Sequence, residues 1–147
     1  MDPEIFLETA KYLLACAKND NHEGHARSAV SRAYYHVYWL IGNEIFSKIS
    51  LELLQTGSLC KSKILVHERL PVVLRSLPDP KAKSLGEHLN NLRVARVAAD
   101  YKLKDVFSTK RAETECDNAI QLSGEIKAFG LNRIVELIEV EFSKLKP

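Results

Sequence analysis

Apolar residues recur along the chain at helical spacing, three or four positions apart, and no segment shows the strict alternation typical of a strand. The first helix is predicted from Pro3 to about Lys18, since Asp2 can cap it and proline suits the first helical position. A second, longer helix is predicted from about Glu23 to about Lys48.

Both sides of the second predicted helix are suited to packing. One side carries an aliphatic stripe, and the other carries large polar and aromatic residues, namely Arg32, Tyr35, His36, Trp39 and Phe46. Such a helix lies either at the centre of a bundle or in the interface of an oligomer. A symmetric homodimer is therefore one expectation from the sequence.

The rest of the chain predicts three or four more helices. Residues 63–77 are helical in pattern but contain Pro71, which removes a backbone donor and predicts a kink or a restart. The other predicted helices span residues 81–101, 109–129 and 131–145. Ser108 or Thr109 can cap the helix that follows it, and Gly130 can end that same helix.

These patterns predict an all-α fold, one bundle of five or six helices. Residues 50–62 are ambiguous. A chain of 147 residues fits a single domain, residues 1–147, in which residues 130–147 form a C-terminal helical extension.

Composition narrows the class of protein. Hydrophobic residues make up 46% and charged residues 27%, which argues against disorder. No apolar run approaches the ~20 residues that span a bilayer, and the acidic N-terminus does not resemble a secretory signal. Three widely spaced cysteines, Cys16, Cys60 and Cys116, argue against a disulfide framework or a zinc site and favour the reducing cytoplasm.

The net charge of +2 conceals an asymmetry along the chain. Between Lys61 and Arg111, twelve Lys or Arg residues stand against five acids, so this middle third carries +7 and the remainder −5. Either a basic face for phosphates or an ordinary solvated surface is consistent with that count.

Two segments carry residues suited to phosphate chemistry. Arg32 and His36 lie one turn apart on the second helix, so both can address one phosphate or carboxylate, unless they form a packing face. Arg93, Arg96 and Asp100 fall within about 60° of one another on a later helix. The planar fork of arginine suits phosphate oxygens, and Asp100 can hold one fork in place. The plain alternative is a surface ion pair between Arg96 and Asp100.

Motifs for other chemistries are missing. No glycine-rich phosphate loop, metalloprotease motif or serine-hydrolase motif occurs. His22 and His25 lie close together but have no nearby cysteine, so neither a metal site nor a cofactor is predicted.

The run RSAVSRAYY at residues 27–35 and the run LRVARVAADY at residues 92–101, in this order, resemble the HEPN family, the higher-eukaryote and prokaryote nucleotide-binding helical bundles. The resemblance is closest to the small bacterial and archaeal branch and covers about residues 3–129. It implies an up-and-down bundle that usually dimerises, with RNA or a nucleotide as ligand. It also implies a possible antitoxin partner, a small nucleotidyltransferase.

Nuclease members of that family carry an arginine followed, after a short spacer, by a histidine. The arginine positions the phosphate and the histidine supports proton transfer, without a metal. In this chain no histidine stands at that spacing from any arginine, and the expected position falls at Ala99, two residues before Tyr101. His67 or His88 would have to substitute from a neighbouring helix.

Three functional hypotheses follow. The first is a dimeric HEPN-like module that binds RNA or a nucleotide in a toxin–antitoxin or defence system. Its site would be lined by Arg93, Arg96, Asp100 and Tyr101, with Arg32 and His36 nearby. The second is a metal-independent endoribonuclease toxin with a degenerate motif. Its candidate catalytic residues are Arg93, Arg96, Asp100 and Tyr101. The third is a non-catalytic helical interaction protein.

Overall fold

The computed structural model describes residues 2–49 and 66–144. Its helices are α1 (Pro3–Asp20), α2 (Glu23–Lys48), α3 (Val66–Ser76), α4 (Pro80–Tyr101), α5 (Thr109–Phe129) and α6 (Leu131–Ser143). These two ranges contain no strand, so the predicted all-α bundle is confirmed. The ambiguous segment 50–62 lies outside the described residues.

The helix ends follow the capping residues that the sequence contains. The carboxylate of Asp2 accepts a hydrogen bond from the N–H of Glu4 at 3.0 Å, and the hydroxyl of Ser108 accepts one from the N–H of Arg111 at 3.0 Å. Gly130 ends α5 with a φ of 103°, a conformation that favours glycine. All three predicted end signals are therefore confirmed.

Pro71 lies inside α3 and does not end it. The helix runs through the proline from Val66 to Ser76, so the predicted restart does not occur. An internal proline costs about 3 kcal/mol in a helix. The neighbouring side chains of Leu70 and Leu74 are fully buried, and their burial offsets that cost.

The central helix of the bundle is α2, which contacts α1, α4, α5 and α6. Val37 and Ile41 are fully buried, while Trp39 and Phe46 on the other side are half-buried and pack against the same core. Of the two roles predicted for this helix, the central position is confirmed. A homodimer remains a prediction. The argument for it from exposed aromatic rings is weaker, because the chain itself partly covers the rings of Trp39 and Phe46.

The last helix belongs to the same core. Ile134, Val135 and Ile138 of α6 are buried in the main hydrophobic cluster, together with residues of α2, α4 and α5. None of the described helices is long and apolar enough to cross a membrane.

A second, smaller cluster consists mainly of alanines. Its members are Ala17, Ala26, Val30, Ala95, Ala98, Ala99, Phe107 and Ala112. The distance between packed helices depends on the side chains at the contact, so alanines allow α2 to approach the end of α4 closely.

Next to this cluster, Arg27 of α2 holds the C-terminal end of α4. Its Nη1 donates to the carbonyl oxygens of Ala98 and Ala99 at 3.0 and 2.9 Å. Its Nη2 donates to the carbonyl oxygens of Lys102, at 3.3 Å, and Asp105. The last carbonyls of a helix have no partner within it, and here one guanidinium group donates to two of them and to two carbonyls of the loop that follows.

Glu23 completes this contact. Its Oε1 accepts a hydrogen bond from Nη2 of Arg27 at 2.8 Å and another from the backbone N–H of Phe107 at 3.0 Å. The side-chain hydrogen bond from Arg27 and the backbone hydrogen bond from Phe107 lower the pKa of Glu23. One buried arginine and its carboxylate thus tie α2 to the end of α4 and to the loop beyond it.

We predict that Arg27→Met lowers the free energy of unfolding by about 2 kcal/mol, because it leaves the carbonyl oxygens of Ala99 and Asp105 without donors. Arg32→Met is the matched control, since Arg32 lies on the same helix but is exposed, and a change within about 0.5 kcal/mol is expected. Urea unfolding measures both. Equal losses in the two variants would mean that Arg27 does not hold α4.

Candidate nucleic-acid interface

Polar side chains join α2 and α4 along one seam. Nη2 of Arg96 donates to the hydroxyl of Tyr35 at 2.8 Å, and Nε of Arg96 lies 3.1 Å from Oδ2 of Asp100. The hydroxyl of Ser31 donates to the same carboxylate oxygen at 3.2 Å. The structure therefore brings Arg96 and Asp100 together, as their spacing predicts, and adds two partners from α2.

Arg96 is buried, with 7% of its surface exposed. Its guanidinium carbon lies 5.7, 5.4 and 5.6 Å from the ring centroids of Tyr34, Tyr35 and Tyr101. Burial opposes its charge, but the hydrogen bond to Tyr35 and the charge of Asp100 favour it, and the pKa of Arg96 is raised. The Arg96–Asp100 pair is thus partly buried, since the side chain of Asp100 is 27% exposed, and Arg96 supports the rings around it.

Several residues of α2, of α4 and of the loop after α4 are exposed. Tyr101, which ends α4, is 69% exposed although its ring contacts Arg96. Arg32, Lys102 and Lys104 are exposed, and Arg93 is half-buried with its Nε donating to Oδ1 of Asn90 at 3.1 Å. We call the surface formed by Arg32, Arg93, Tyr101, Lys102 and Lys104 the α2–α4 face.

His36 does not belong to this face. It is fully buried, with Nδ1 2.8 Å from the carbonyl oxygen of Pro3 and Nε2 3.0 Å from the hydroxyl of Ser123. A carbonyl oxygen only accepts, so Nδ1 carries a proton and donates to Pro3, while Nε2 and the hydroxyl of Ser123 form the second hydrogen bond. His36 therefore links α1 to α5, and the prediction that Arg32 and His36 address one phosphate is wrong.

Ala99, where the family pattern expects a histidine, is also buried. Only 1% of its surface is exposed, and it packs in the alanine cluster beside Arg27. An imidazole at this position would enter the core and not the α2–α4 face. His88 lies elsewhere, with Nδ1 3.7 Å from a carboxylate oxygen of Glu125 on α5.

The side chains described here form no metal site. In residues 2–49 and 66–144, no three His, Cys, Asp or Glu side chains lie close enough together to hold an ion.

Sequence reasoning named Tyr35 as a packing residue of α2 but missed Arg27 and Ser31, which also contact α4. Arg27, Ser31 and Tyr35 lie at successive intervals of four residues and form one stripe of the helix. A polar stripe at that spacing was the available signal. It indicates a side that packs against polar groups of a neighbouring helix.

Comparisons with protein-family models, with curated proteins and with solved structures found no match to this chain. The resemblance to the HEPN family therefore remains an expectation based on two sequence runs.

We predict that Tyr35→Phe lowers the free energy of unfolding by about 1–3 kcal/mol, because it leaves a buried guanidinium donor without its acceptor. Tyr12→Phe is the control, since Tyr12 is 70% exposed on α1, and no measurable loss is expected. Thermal and urea unfolding of both variants check this. A neutral Tyr35→Phe would show that Arg96 does not depend on that hydroxyl.

Proposed function

We propose that this chain binds single-stranded RNA through the α2–α4 face. The observation that carries the proposal is the exposed ring of Tyr101, whose position is supported by the buried guanidinium of Arg96. Exposed aromatic rings stack on unpaired bases, with a free energy of about 1–3 kcal/mol per base. A ring supported in this way loses little conformational freedom when a base stacks on it.

The charge around Tyr101 suits a phosphate backbone. From residue 93 to residue 104 the chain carries Arg93, Arg96, Lys102 and Lys104 against the single acid Asp100. Asp100 is paired with Arg96, so the net charge of this segment is positive. Binding of RNA to such a surface releases counterions and weakens as salt rises.

The wider role follows from the resemblance to the HEPN family. On that ground we propose a toxin–antitoxin or defence system as the setting, a homodimer as the assembly and a small nucleotidyltransferase as a partner. We do not extend the proposal to metal-independent cleavage. His36 is buried and His88 lies against Glu125 on α5, so neither supplies an imidazole, the usual proton carrier near neutral pH, to the α2–α4 face.

The test is fluorescence anisotropy of a labelled single-stranded RNA with the full chain. We predict that Tyr101→Ala weakens binding by about tenfold or more, whereas Tyr101→Phe keeps most of the affinity because the ring remains. Tyr12→Ala removes an equally exposed ring on α1 and is expected to bind like the original protein.

Two outcomes would contradict the proposal. Equal losses in the Tyr101→Ala and Tyr12→Ala variants would show that no particular ring binds a base. Cleavage of the same RNA in EDTA, if Arg93→Ala abolished it, would favour the endoribonuclease hypothesis over simple binding.

A further inference from the structure

The loop that joins α4 to α5, residues 102–108, presents two aliphatic side chains to solvent. Leu103 is 70% exposed and Val106 is 85% exposed. Among the described residues, no other large aliphatic side chain is as exposed as these two. Neither belongs to the α2–α4 face, so RNA binding there does not account for their exposure.

The backbone of this loop is held against the rest of the protein. Nη2 of Arg27 donates to the carbonyl oxygens of Lys102 and Asp105, and Oε1 of Glu23 accepts from the N–H of Phe107. The ring of Phe107 is buried in the alanine cluster, with 3% of its surface exposed. The loop therefore has a fixed position, and several of its backbone polar groups have protein partners and do not need water.

The charges next to the two aliphatic side chains are mainly positive. The exposed cations from residue 102 to residue 111 are Lys102, Lys104, Lys110 and Arg111. Asp105 is the single acid in that range, so its net charge is +3. The guanidinium carbon of Arg111 lies 4.6 Å from the ring centroid of Phe107, which places this cation beside the loop. A surface of this charge attracts an anionic one.

We propose that the α4–α5 loop binds the surface of an anionic bilayer, with Leu103 and Val106 inserted among the lipid headgroups. Lys102 and Lys104 lie next to these side chains and bind the lipid phosphates and carboxylates. The strength of such binding increases with the apolar area inserted and with the attraction between basic residues and anionic lipids. A fluid bilayer adapts to two protruding side chains, whereas a folded protein partner would need a matching pocket.

The test is co-sedimentation of the full chain with vesicles of phosphatidylcholine and phosphatidylserine in equal parts. We predict saturable binding that is at least about tenfold weaker with vesicles of phosphatidylcholine alone, because each lysine near an anionic surface contributes about fivefold in affinity. The double variant Leu103→Ser, Val106→Ser is expected to bind the anionic vesicles at least about tenfold more weakly than the original protein.

The matched control is Ile5→Ser with Val140→Ser, which removes two exposed aliphatic side chains from α1 and α6. It is expected to bind the anionic vesicles within about twofold of the original protein. The Leu103→Ser, Val106→Ser variant is expected to keep its affinity for single-stranded RNA. Failure of the membrane proposal is therefore distinguishable from failure of the RNA proposal.

A second measurement uses the unmodified protein and does not depend on the stability of a variant. Spin-labelled lipid in anionic nanodiscs should broaden the methyl NMR signals of Leu103 and Val106 and spare those of Ile5 and Val140. Absence of binding to the anionic vesicles, equal weakening in both double variants, or broadening confined to other methyl groups would overturn the proposal. A dimer in light scattering that the Leu103→Ser, Val106→Ser variant converts to a monomer would also overturn it, by assigning the loop to a contact between two copies.

Discussion

Two buried guanidinium groups fix α2 against α4, and each helix contributes one of them. Arg27 of α2 donates to the carbonyls that end α4, while Arg96 of α4 donates to Tyr35 on α2. A buried charge without partners is strongly unfavourable, so neither helix can slide along the other without breaking one of these contacts. The position of Tyr101 at the end of α4 depends on both.

Much of the fold was predictable because helix formation is governed by local signals. The spacing of apolar residues located the helices, and short-range caps such as Asp2 and Ser108 located their ends. Pro71 was different, because its effect depends on the burial of its neighbours in the folded core. The local sequence around Pro71 does not show that Leu70 and Leu74 are buried in the folded core.

The site was predictable only in part, for a related reason. The pairing of Arg96 with Asp100 follows from helical spacing, but its burial does not, because burial depends on the rings of Tyr34 and Tyr35 on another helix. His36 was misjudged for the same reason. A central helix is covered on several sides, so periodicity alone does not show which of its polar residues reach solvent.

Stacking of an RNA base on Tyr101 is tested most directly by photo-cross-linking. A single-stranded RNA carrying 5-iodouridine is irradiated with the full chain, and the cross-linked residue is identified by peptide mass spectrometry. If the α2–α4 face binds RNA, the principal cross-link forms at Tyr101 and disappears when unlabelled RNA is added in excess. A principal cross-link at Tyr12, which is exposed to the same extent on α1, would contradict the α2–α4 face as the RNA-binding surface.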